Sequence, residues 1–432
     1  MPVWLWDSGP MRRALADLNL GTVLAVLRAA AGLTQQELAD LVPGWTKTKV
    51  TRIESGERAT LYDVRELLVW ADAVYMPREA LAPLFLGSAD AGLGLPAPEG
   101  SETLDRRTFN GSIAAVAAAA LLPGRYSTPD RVGQAHITYL RSCADELWTR
   151  DWAAGGGALL RQAVNLFGRA KAMLDESDYS PRLGADLLGV SAGLGVCGSF
   201  MAFDSGELAL ARRLSQEAAL LADSTDDAVL RAHVYVTMAL QSTALARLSV
   251  RRGPAREAMR TLGIAEQAAK HEPSPKLHAL IHMRTATAAA LLGDEGVARS
   301  SITAARRELD RGDHPDDPVA FGFVTPAEIL GHEARMFADL GDPVRAVALY
   351  TQVTDAPDLP PRNRAFYQAA LAETQLAAGA RADALETGDR TLDALEGPVS
   401  SVRVLNTLRP LTHQNDDFRD RFEAVARTLS AE

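Results

Sequence analysis

The sequence predicts an all-α protein built from a small N-terminal domain of short helices and a long array of helical hairpins. Three observations predict this fold class. A helix-capping signal begins at Thr34, a spacing of glycine and small residues recurs five times between residues 206 and 391, and no segment alternates between apolar and polar residues as a strand would. With 432 residues, of which 47% are hydrophobic and 23% charged, the composition is that of a globular protein with a large core.

The capping signal marks the start of a short helix in the N-terminal domain. Gly32 can end the preceding helix in a left-handed conformation, and Thr34 and Glu37 have the spacing of a capping box. In that motif the hydroxyl and the carboxylate each accept a backbone N–H at the helix start. The helix is predicted to end at Pro43 and Gly44, because this pair favours a turn over continuation of the helix.

A second, basic helix is predicted directly after this turn. Thr46 is a suitable N-cap, and Val50 and Ile53 point inward at a spacing of three residues. The other side chains form a cationic and hydrogen-bonding outer face, which consists of Lys47, Thr48, Lys49, Thr51 and Arg52. A basic face on an amphipathic helix is most often a solvated surface. The order of capping box, turn and basic helix is what favours insertion into a DNA groove.

These residues resemble the helix-turn-helix domain of the phage-repressor (XRE) family. The family pattern is seen here as LRAAAGLTQQELA followed by VTRIESGER, and the resemblance covers residues 20–85. It implies a five-helix domain that binds duplex DNA. The positions that it matches to DNA contacts are Lys47, Thr48 and Arg52 for base edges and Gln35 for a phosphate. Lys49 and Arg58 are further candidates for phosphate contacts. Arg28 and Glu54 match an ion pair that is structural and buried in the family.

The charge distribution agrees with a small DNA-binding domain attached to an acidic body. The formal net charge is −10, but the basic residues of the N-terminal part nearly balance its acids, so most of the negative excess lies downstream. An acidic body repels DNA and leaves the basic helix face to bind it. Cys143 and Cys197 are the only cysteines and lack metal-ligand spacing, which fits a reducing cytoplasm.

Composition divides the chain into four consecutive segments. They are a DNA-binding domain (1–87), a linker (88–103), a connecting apolar helix (104–125) and a helical-repeat domain (126–432). The linker is rich in Gly, Ala, Pro and Ser and has no helical period. The apolar helix follows the phrase DRRTF and has about ten apolar residues, too few to span a bilayer. With no signal-peptide pattern at the start, we expect a cytoplasmic protein without a membrane partner.

A helical repeat is visible in the spacing of small residues. The five sets are Gly206-Ala211-Ala218, Gly253-Ala258-Ala265, Gly293-Ala298-Ala305, Gly341-Ala346-Val353 and Gly379-Ala384-Thr391. Each glycine is predicted to lie in a turn, and the small residue five positions later lets the second helix approach the first. The spacing resembles the tetratricopeptide repeat (TPR), with longer intervals between repeats. A less regular hairpin around residues 155–157 is expected to cap the array, and the segment after Val399 to close it.

Taken together, the segments resemble a family of actinobacterial XRE-TPR transcriptional regulators. The segments MAFDSGELALARR, MRTATAAALLGDEGVA and DRRTF support this resemblance. It implies a DNA-binding regulator whose C-terminal domain dimerises or senses a small-molecule, peptide or protein effector. Because one helix-turn-helix domain reads few base pairs, we expect a homodimer on an inverted-repeat operator.

An effector would be expected in a groove lined by the first helix of each hairpin. Counting back from each turn glycine by the TPR convention selects Phe200, Phe203, Arg247, Met283, Glu328, Arg335, Phe366 and Glu373. These side chains could equally pack the array or be solvated. Peptide-sensing TPR regulators clamp their peptide with asparagines on these helices, and this chain has none between Asn165 and Asn363. That difference argues against a peptide.

Two other classes of function stay open. One is a protein-interaction scaffold whose helix-turn-helix domain is vestigial, and the more remote one is an enzyme. Only His278 and His282 have the i, i+4 spacing that places two metal ligands on one helix face, and no HExxH motif accompanies them. The glycines at 155–157 lack the strand and the Lys-Ser/Thr of a phosphate loop. We therefore predict no catalytic residue, no metal site and no cofactor.

Overall fold

A computed structural model describes residues 20–30, 33–42, 44–56 and 128–431 except 358, together with residues 11, 14, 70, 71 and 73. The predicted linker and connecting apolar helix lie outside the described residues, as do Gly32, Pro43 and Arg58. Within the described residues every element is a helix, and the only β feature is an isolated bridge between Arg131 and Asp178. The all-α fold class is confirmed for this part of the chain.

The chain divides into two compact units. Unit 1 comprises residues 1–143 and 171–184, and unit 2 comprises residues 144–170 and 185–432. The division passes through three helices, so each of these contributes residues to both units. The helix-turn-helix segment belongs to unit 1, and the paired helices belong to unit 2.

Three short helices are described in the N-terminal part of unit 1. They are α1 (Leu20–Ala30), α2 (Gln35–Leu41) and α3 (Lys47–Glu54). The predicted capping box is confirmed, since the Thr34 hydroxyl accepts the Glu37 N–H at 3.2 Å and the Glu37 carboxylate accepts the Thr34 N–H at 2.7 Å. The predicted N-cap at Thr46 is confirmed as well, because its hydroxyl accepts the Lys49 N–H at 3.3 Å.

A small apolar core joins these three helices. Leu24 and Leu27 of α1, Leu38 of α2 and Val50 and Ile53 of α3 are all fully buried. These residues recur at the three- and four-residue spacing of a helix face, which is why one side of each helix packs inward. The polar residues of α3 are consequently left on its outer side.

Fourteen helices are described after residue 128. In chain order they are α4 (Gln134–Ala154), α5 (Leu160–Glu176), α6 (Pro181–Asp204), α7 (Leu208–Ala222), α8 (Ala228–Ser249), α9 (Arg252–Ala269), α10 (Pro275–Leu292), α11 (Glu295–Leu309), α12 (Pro326–Asp339), α13 (Pro343–Thr354), α14 (Pro361–Ala377), α15 (Arg381–Glu396), α16 (Val402–Thr407) and α17 (Asp416–Ala431). Three 3₁₀ turns accompany them, Gly157–Leu159, Val319–Phe321 and Arg409–His413. From α6 to α15 consecutive helices form pairs joined by short turns.

Four of the five predicted turn glycines occupy turns between paired helices. Gly206, Gly293, Gly341 and Gly379 have φ angles between 80° and 84°, a left-handed conformation that glycine adopts without steric cost. The small residues that follow them are fully buried between the helices, as are those of the remaining set: Ala211, Ala218, Ala258, Ala265, Ala298, Ala305, Ala346, Val353, Ala384 and Thr391. The sequence spacing thus marks the packing seam of each pair.

The second repeat departs from the prediction at Gly253. Its helix, α9, begins at Arg252, so Gly253 lies inside the first turn of the helix. The left-handed position is taken instead by Val250, with a φ of 53°. Ala258 and Ala265 are nevertheless buried as expected. The seam keeps its position while the turn has moved three residues towards the N-terminus, because α9 carries extra residues at its start.

The last segment of unit 2 contacts its first hairpin. The Ser400 N–H donates to the carbonyl of Ala154 at 2.6 Å, and the Gly157 N–H donates to the carbonyl of Ser400 at 3.0 Å. Gly155 has a φ of 85°, and a Cβ at this position would lie 2.5 Å from the Ser400 carbonyl oxygen. The helical array therefore closes on itself within unit 2, through backbone contacts that only glycine permits.

One helix of the array, α6, is long and apolar enough to cross a membrane by length and composition alone. Its most apolar window is 72% buried inside the protein. Within this helix Ser199 donates to the α7 carbonyl of Ala211 at 3.1 Å and accepts from Gln241 of α8 at 2.7 Å. This burial and these polar contacts are those of a core helix.

Candidate functional site

The outer face of α3 is the first candidate site. Lys47, Thr48, Thr51 and Arg52 are exposed, whereas the inward residues of the same helix are fully buried. Lys49 is half-buried, and its ammonium group lies 5.0 Å from the centre of the Trp45 ring in the preceding turn. Such a contact holds the lysine stem against the domain while its charge stays near the surface. Arg58 lies outside the described residues.

A polar network anchors α3 to α1 and α2. The Arg28 guanidinium contacts both carboxylate oxygens of Glu54, with Nε–Oε1 at 2.8 Å and Nη2–Oε2 at 3.2 Å. The Gln35 amide nitrogen donates to the same carboxylate at 2.7 Å, and its amide oxygen accepts the Thr51 hydroxyl at 2.9 Å. Only 9% of the Glu54 side chain is exposed to solvent. The network fixes the rotation of α3 about its axis.

Sequence reasoning missed the internal role of Gln35. The resemblance predicts a phosphate contact for this residue, and in the structure its amide holds Glu54 and Thr51. A primary amide carries a second N–H, so the phosphate contact stays a prediction. The signal that could have found the internal role is the resemblance itself, which pairs Arg28 with Glu54 beside the start of α2. Lys47, Thr48 and Arg52 lie on the predicted face, and their contacts to bases likewise remain predictions.

Unit 2 holds the second candidate site, a cavity of about 520 Å³. It is lined mainly by the first helix of each pair, with contributions from α4 and from the segment around α16. Seven of the eight residues predicted for a groove line it, namely Phe200, Phe203, Arg247, Glu328, Arg335, Phe366 and Glu373. Met283 does not: it is fully buried, and its neighbour Arg284 lines the cavity instead. One residue along a helix turns the side chain by about 100°, so a register error of one residue changes its face.

An aromatic series forms one wall of the cavity. The rings of His233 and Trp148 are 5.7 Å apart, those of Trp148 and Phe200 are 5.5 Å apart, and those of Phe200 and Phe203 are 6.4 Å apart. These separations are typical of packed aromatic pairs. Burial lowers the pKa of His233 to about 4, with the positive charge of Arg284 adding to the effect. The imidazole is therefore neutral at pH 7 and behaves as part of the aromatic wall.

Six arginines line the cavity, and four of them form ion pairs with carboxylates. Arg247 donates to both carboxylate oxygens of Asp339, from Nη2 at 2.6 Å and from Nε at 3.1 Å, and Arg335 contacts Glu373 at 3.1 Å. Two further pairs join distant parts of the chain: Arg403 contacts Asp204 at 2.8 Å, and Arg362 contacts Asp151. Asp151, Asp204 and Asp339 are not among the lining residues. In the three pairs with aspartate, the arginines therefore line the cavity and the carboxylates lie behind them, whereas Glu373 lines the cavity together with Arg335.

The two fully buried aspartates differ in their protonation. Burial raises the pKa of Asp151 to about 6, against the attraction of Arg362. Burial also opposes ionisation of Asp204, but Arg403, Arg362 and the Gly156 N–H outweigh it and lower its pKa below the ordinary value. Asp204 is thus charged at neutral pH, while Asp151 is close to its titration range.

Arg284 is half-buried, and it differs from the other half-buried or buried arginines of the cavity, which contact carboxylates. Within the described residues its guanidinium makes one hydrogen-bond contact, Nη1 to Nε2 of His332 at 3.1 Å, and its Nε has no partner. Burial lowers the pKa of Arg284 to about 10, so the side chain remains charged at pH 7. Burial likewise lowers the pKa of His332, and a neutral imidazole can accept the arginine N–H.

Glu328 lies near Arg284 but is bound by other groups. Its carboxylate accepts the Asn363 amide at 3.1 Å, and its Oε1 is 3.7 Å from Nε2 of His332, too long for a hydrogen bond. Burial and the adjacent Glu328 carboxylate raise the pKa of Tyr367 well above its ordinary value, so the phenol stays neutral and can donate. The cluster draws on three helices, α10, α12 and α14, so that Arg284 and His332 are 48 residues apart and Glu328 and Asn363 are 35 residues apart. Of these residues only Glu328 is among those that the sequence predicts for the groove.

No metal site is indicated in the described part of the chain, where no three His, Cys, Asp or Glu residues group together as metal ligands would. Nε2 of His278, one of the two histidines with suitable spacing, is 2.9 Å from the carbonyl of Glu272. That distance is a hydrogen bond between α10 and the loop that precedes it.

Comparison with known proteins identifies the N-terminal part. Residues 19–84 match a family model described as a helix-turn-helix domain. The match includes α1, α2 and α3, together with residues beyond those that the structure describes. No match was found among the curated proteins or the solved structures. The chain thus carries an N-terminal helix-turn-helix domain followed by a large all-helical region of paired helices.

Proposed function

We propose that the protein is a sequence-specific, DNA-binding transcriptional regulator whose TPR-like unit 2 dimerises and senses an effector. The observation that carries the proposal is the exposed face of α3 in a helix-turn-helix domain. Lys47, Thr48 and Arg52 are solvent-exposed on a helix whose rotation is fixed by the Arg28–Glu54 network. A fixed helix presents the same donors at every encounter, as base recognition requires.

The roles of individual residues in DNA binding follow from their chemistry. Arg52 and Lys47 can donate to guanine edges, and Thr48 can bond to several base types. Lys49, held over Trp45, is suited to a phosphate contact that is independent of sequence. The exposed position of the first three residues and the half-buried position of Lys49 support this division.

A gel-shift titration on a site selected from random duplex DNA tests the proposal. We expect Arg52→Ala to weaken binding to the selected site by about 1–3 kcal/mol and to relax preference at one base pair. Lys49→Ala should weaken binding to the selected site and to random DNA to the same extent. Arg213→Ala, which removes a 68% exposed arginine from α7 of unit 2, is the control and should change neither.

The competing function is a protein-interaction scaffold with a vestigial helix-turn-helix domain. On that alternative, the wild-type protein would show no preference for any selected duplex, and Arg52→Ala would behave as the wild type does. Equal losses on all sequences for Arg52→Ala and Lys49→Ala would contradict the division of roles while leaving DNA binding itself in place.

The dimer and the effector are further parts of the proposal. Two copies would read an inverted repeat with half-sites about 34 Å apart, or farther if the 88–103 linker lets them separate. A ligand in the unit 2 cavity would alter DNA affinity by changing the relative placement of the two copies. Sedimentation of the full chain with and without the selected operator measures the stoichiometry. A single chain on an asymmetric site would overturn the dimer.

A further inference from the structure

We propose that the cavity of unit 2 binds an amphipathic organic anion, whose charged group pairs with Arg284 and whose planar apolar body lies against the aromatic series from His233 to Phe203. The inference names the ligand chemistry of the effector site and therefore rests on the proposed function for its biological meaning. The binding itself depends on the cavity alone. Three features of the described residues carry it.

The first feature is the orientation of charge around the cavity. Six arginines line it, namely Arg247, Arg284, Arg335, Arg362, Arg403 and Arg409, whereas only two carboxylates do, Glu328 and Glu373. The three aspartates that pair with lining arginines lie behind them. A group in the cavity is therefore nearer to the positive than to the negative ends of these pairs, and the field favours an anion.

The second feature is the incomplete satisfaction of Arg284. A guanidinium has five N–H donors, and its one hydrogen-bond contact within the described residues is to the neutral imidazole of His332. Arg247, Arg335, Arg362 and Arg403 all contact carboxylates. Glu328 acts on Arg284 through its charge, but within the described residues it makes no hydrogen bond or ion pair to it. A half-buried charge without a directly paired anion is costly. A carboxylate, sulfonate or phosphate in the cavity would supply the missing acceptor.

The third feature is the shape of the adjoining wall. Arg284 is close enough to His233 for its charge to lower the pKa of that ring, and His233 begins the aromatic series. Trp148, Phe200 and Phe203 continue it at ring separations of 5.5 to 6.4 Å. A volume of about 520 Å³ is within the range of small-molecule sites, which are commonly mostly apolar with a few polar anchors.

Two fluorescent probes of matched shape test the inference on the full-length protein. 1-Anilinonaphthalene-8-sulfonate carries an anionic group, and N-phenyl-1-naphthylamine is the same ring system without it. We expect the wild-type protein to bind one sulfonate probe per chain at saturation. Arg284→Gln should lower the affinity for the sulfonate probe by about tenfold to a hundredfold, the usual effect of losing a charge-assisted hydrogen bond. The affinity for the neutral probe should change by less than about twofold.

Two control variants separate charge recognition from loss of folding. Arg213→Gln makes the same substitution on the exposed surface of α7 and should alter neither probe. Arg284→Lys keeps the charge at the site and should retain most of the preference for the sulfonate probe. The inference would be overturned if Arg284→Gln lowered the affinity for both probes equally or for neither. It would also be overturned if the wild type showed no saturable binding of the sulfonate probe.

The same titrations keep the inference distinct from the proposed function. Sulfonate binding that depends on Arg284 but leaves operator affinity unchanged would support the anion site and contradict sensing through that site. Operator binding that survives without any anion selectivity in the cavity would leave the DNA-binding function in place and overturn the inference.

Discussion

The ion pair between Arg28 and Glu54 is predicted to set the stability of α3. In Arg28→Met the aliphatic stem is largely kept, but the Glu54 carboxylate loses two charge-assisted hydrogen bonds at 2.8 and 3.2 Å and keeps the one from Gln35 at 2.7 Å. Breaking a buried ion pair costs about 3–5 kcal/mol. Because 29% of the Arg28 side chain is exposed, water can replace part of the lost contact. We therefore expect a loss of about 2–3 kcal/mol.

Native-state hydrogen exchange of the full-length protein measures this loss where it occurs. The amides of α3 open locally, and about 2–3 kcal/mol corresponds to exchange that is roughly 30- to 150-fold faster. The double variant Arg28→Met/Glu54→Gln removes the stranded charge, and the amide oxygen that it introduces at position 54 can still accept the Gln35 N–H. It should recover most of the protection. Unchanged exchange in Arg28→Met, or a double variant less protected than the single one, would refute the reasoning.

Two further predictions concern unit 2. The folded-state pKa of Asp151, about 6, lies above its ordinary 3.8, so the folded protein holds a proton that the unfolded chain has released, and stability falls as pH rises through this window. In urea unfolding, the free energy of unfolding of the wild type, relative to that of Asp151→Asn, should fall by about 1.4 kcal/mol between pH 5 and pH 7.5. A rise in this difference would contradict the raised pKa. In the same assay Gly155→Ala should lower the free energy of unfolding by about 2 kcal/mol or more beyond the effect of Gly379→Ala. Both glycines have left-handed φ angles, but only at Gly155 would a Cβ meet backbone, the Ser400 carbonyl at 2.5 Å, and equal costs would argue against closure at that contact.

Much of the local architecture was predictable because it depends on short sequence intervals. The capping box at Thr34 and Glu37 and the N-cap at Thr46 are contacts over three residues, so spacing alone specifies them. The buried small residues of the five helix pairs recur at fixed distances for the same reason. Where the turn shifted, at Gly253, a residue with a side chain, Val250, took the left-handed position, and no local signal marks that choice.

The cavity shows the limit of the same approach. Counting along helices placed seven of eight groove residues on its wall, since the repeat fixes which helix faces inward. It missed Arg284 by one position, because the helix period is not a whole number and the error in register grows along a helix. Trp148 was also missed, since it lies in α4, outside the five repeats.

The sequence by itself determined the caps of α2 and α3, the helix-turn-helix segment and the packing seam of each pair, all of which arise from residues within a few turns of one another. Tertiary structure alone decided the contacts of Arg362 with Asp151 and of Arg403 with Asp204, across 211 and 199 residues of chain. These pairs form because α14 and α16, late in the array, meet α4 and the end of α6. Closure depends on small rotations that accumulate over all helix pairs, so no single interval of the sequence predicts it.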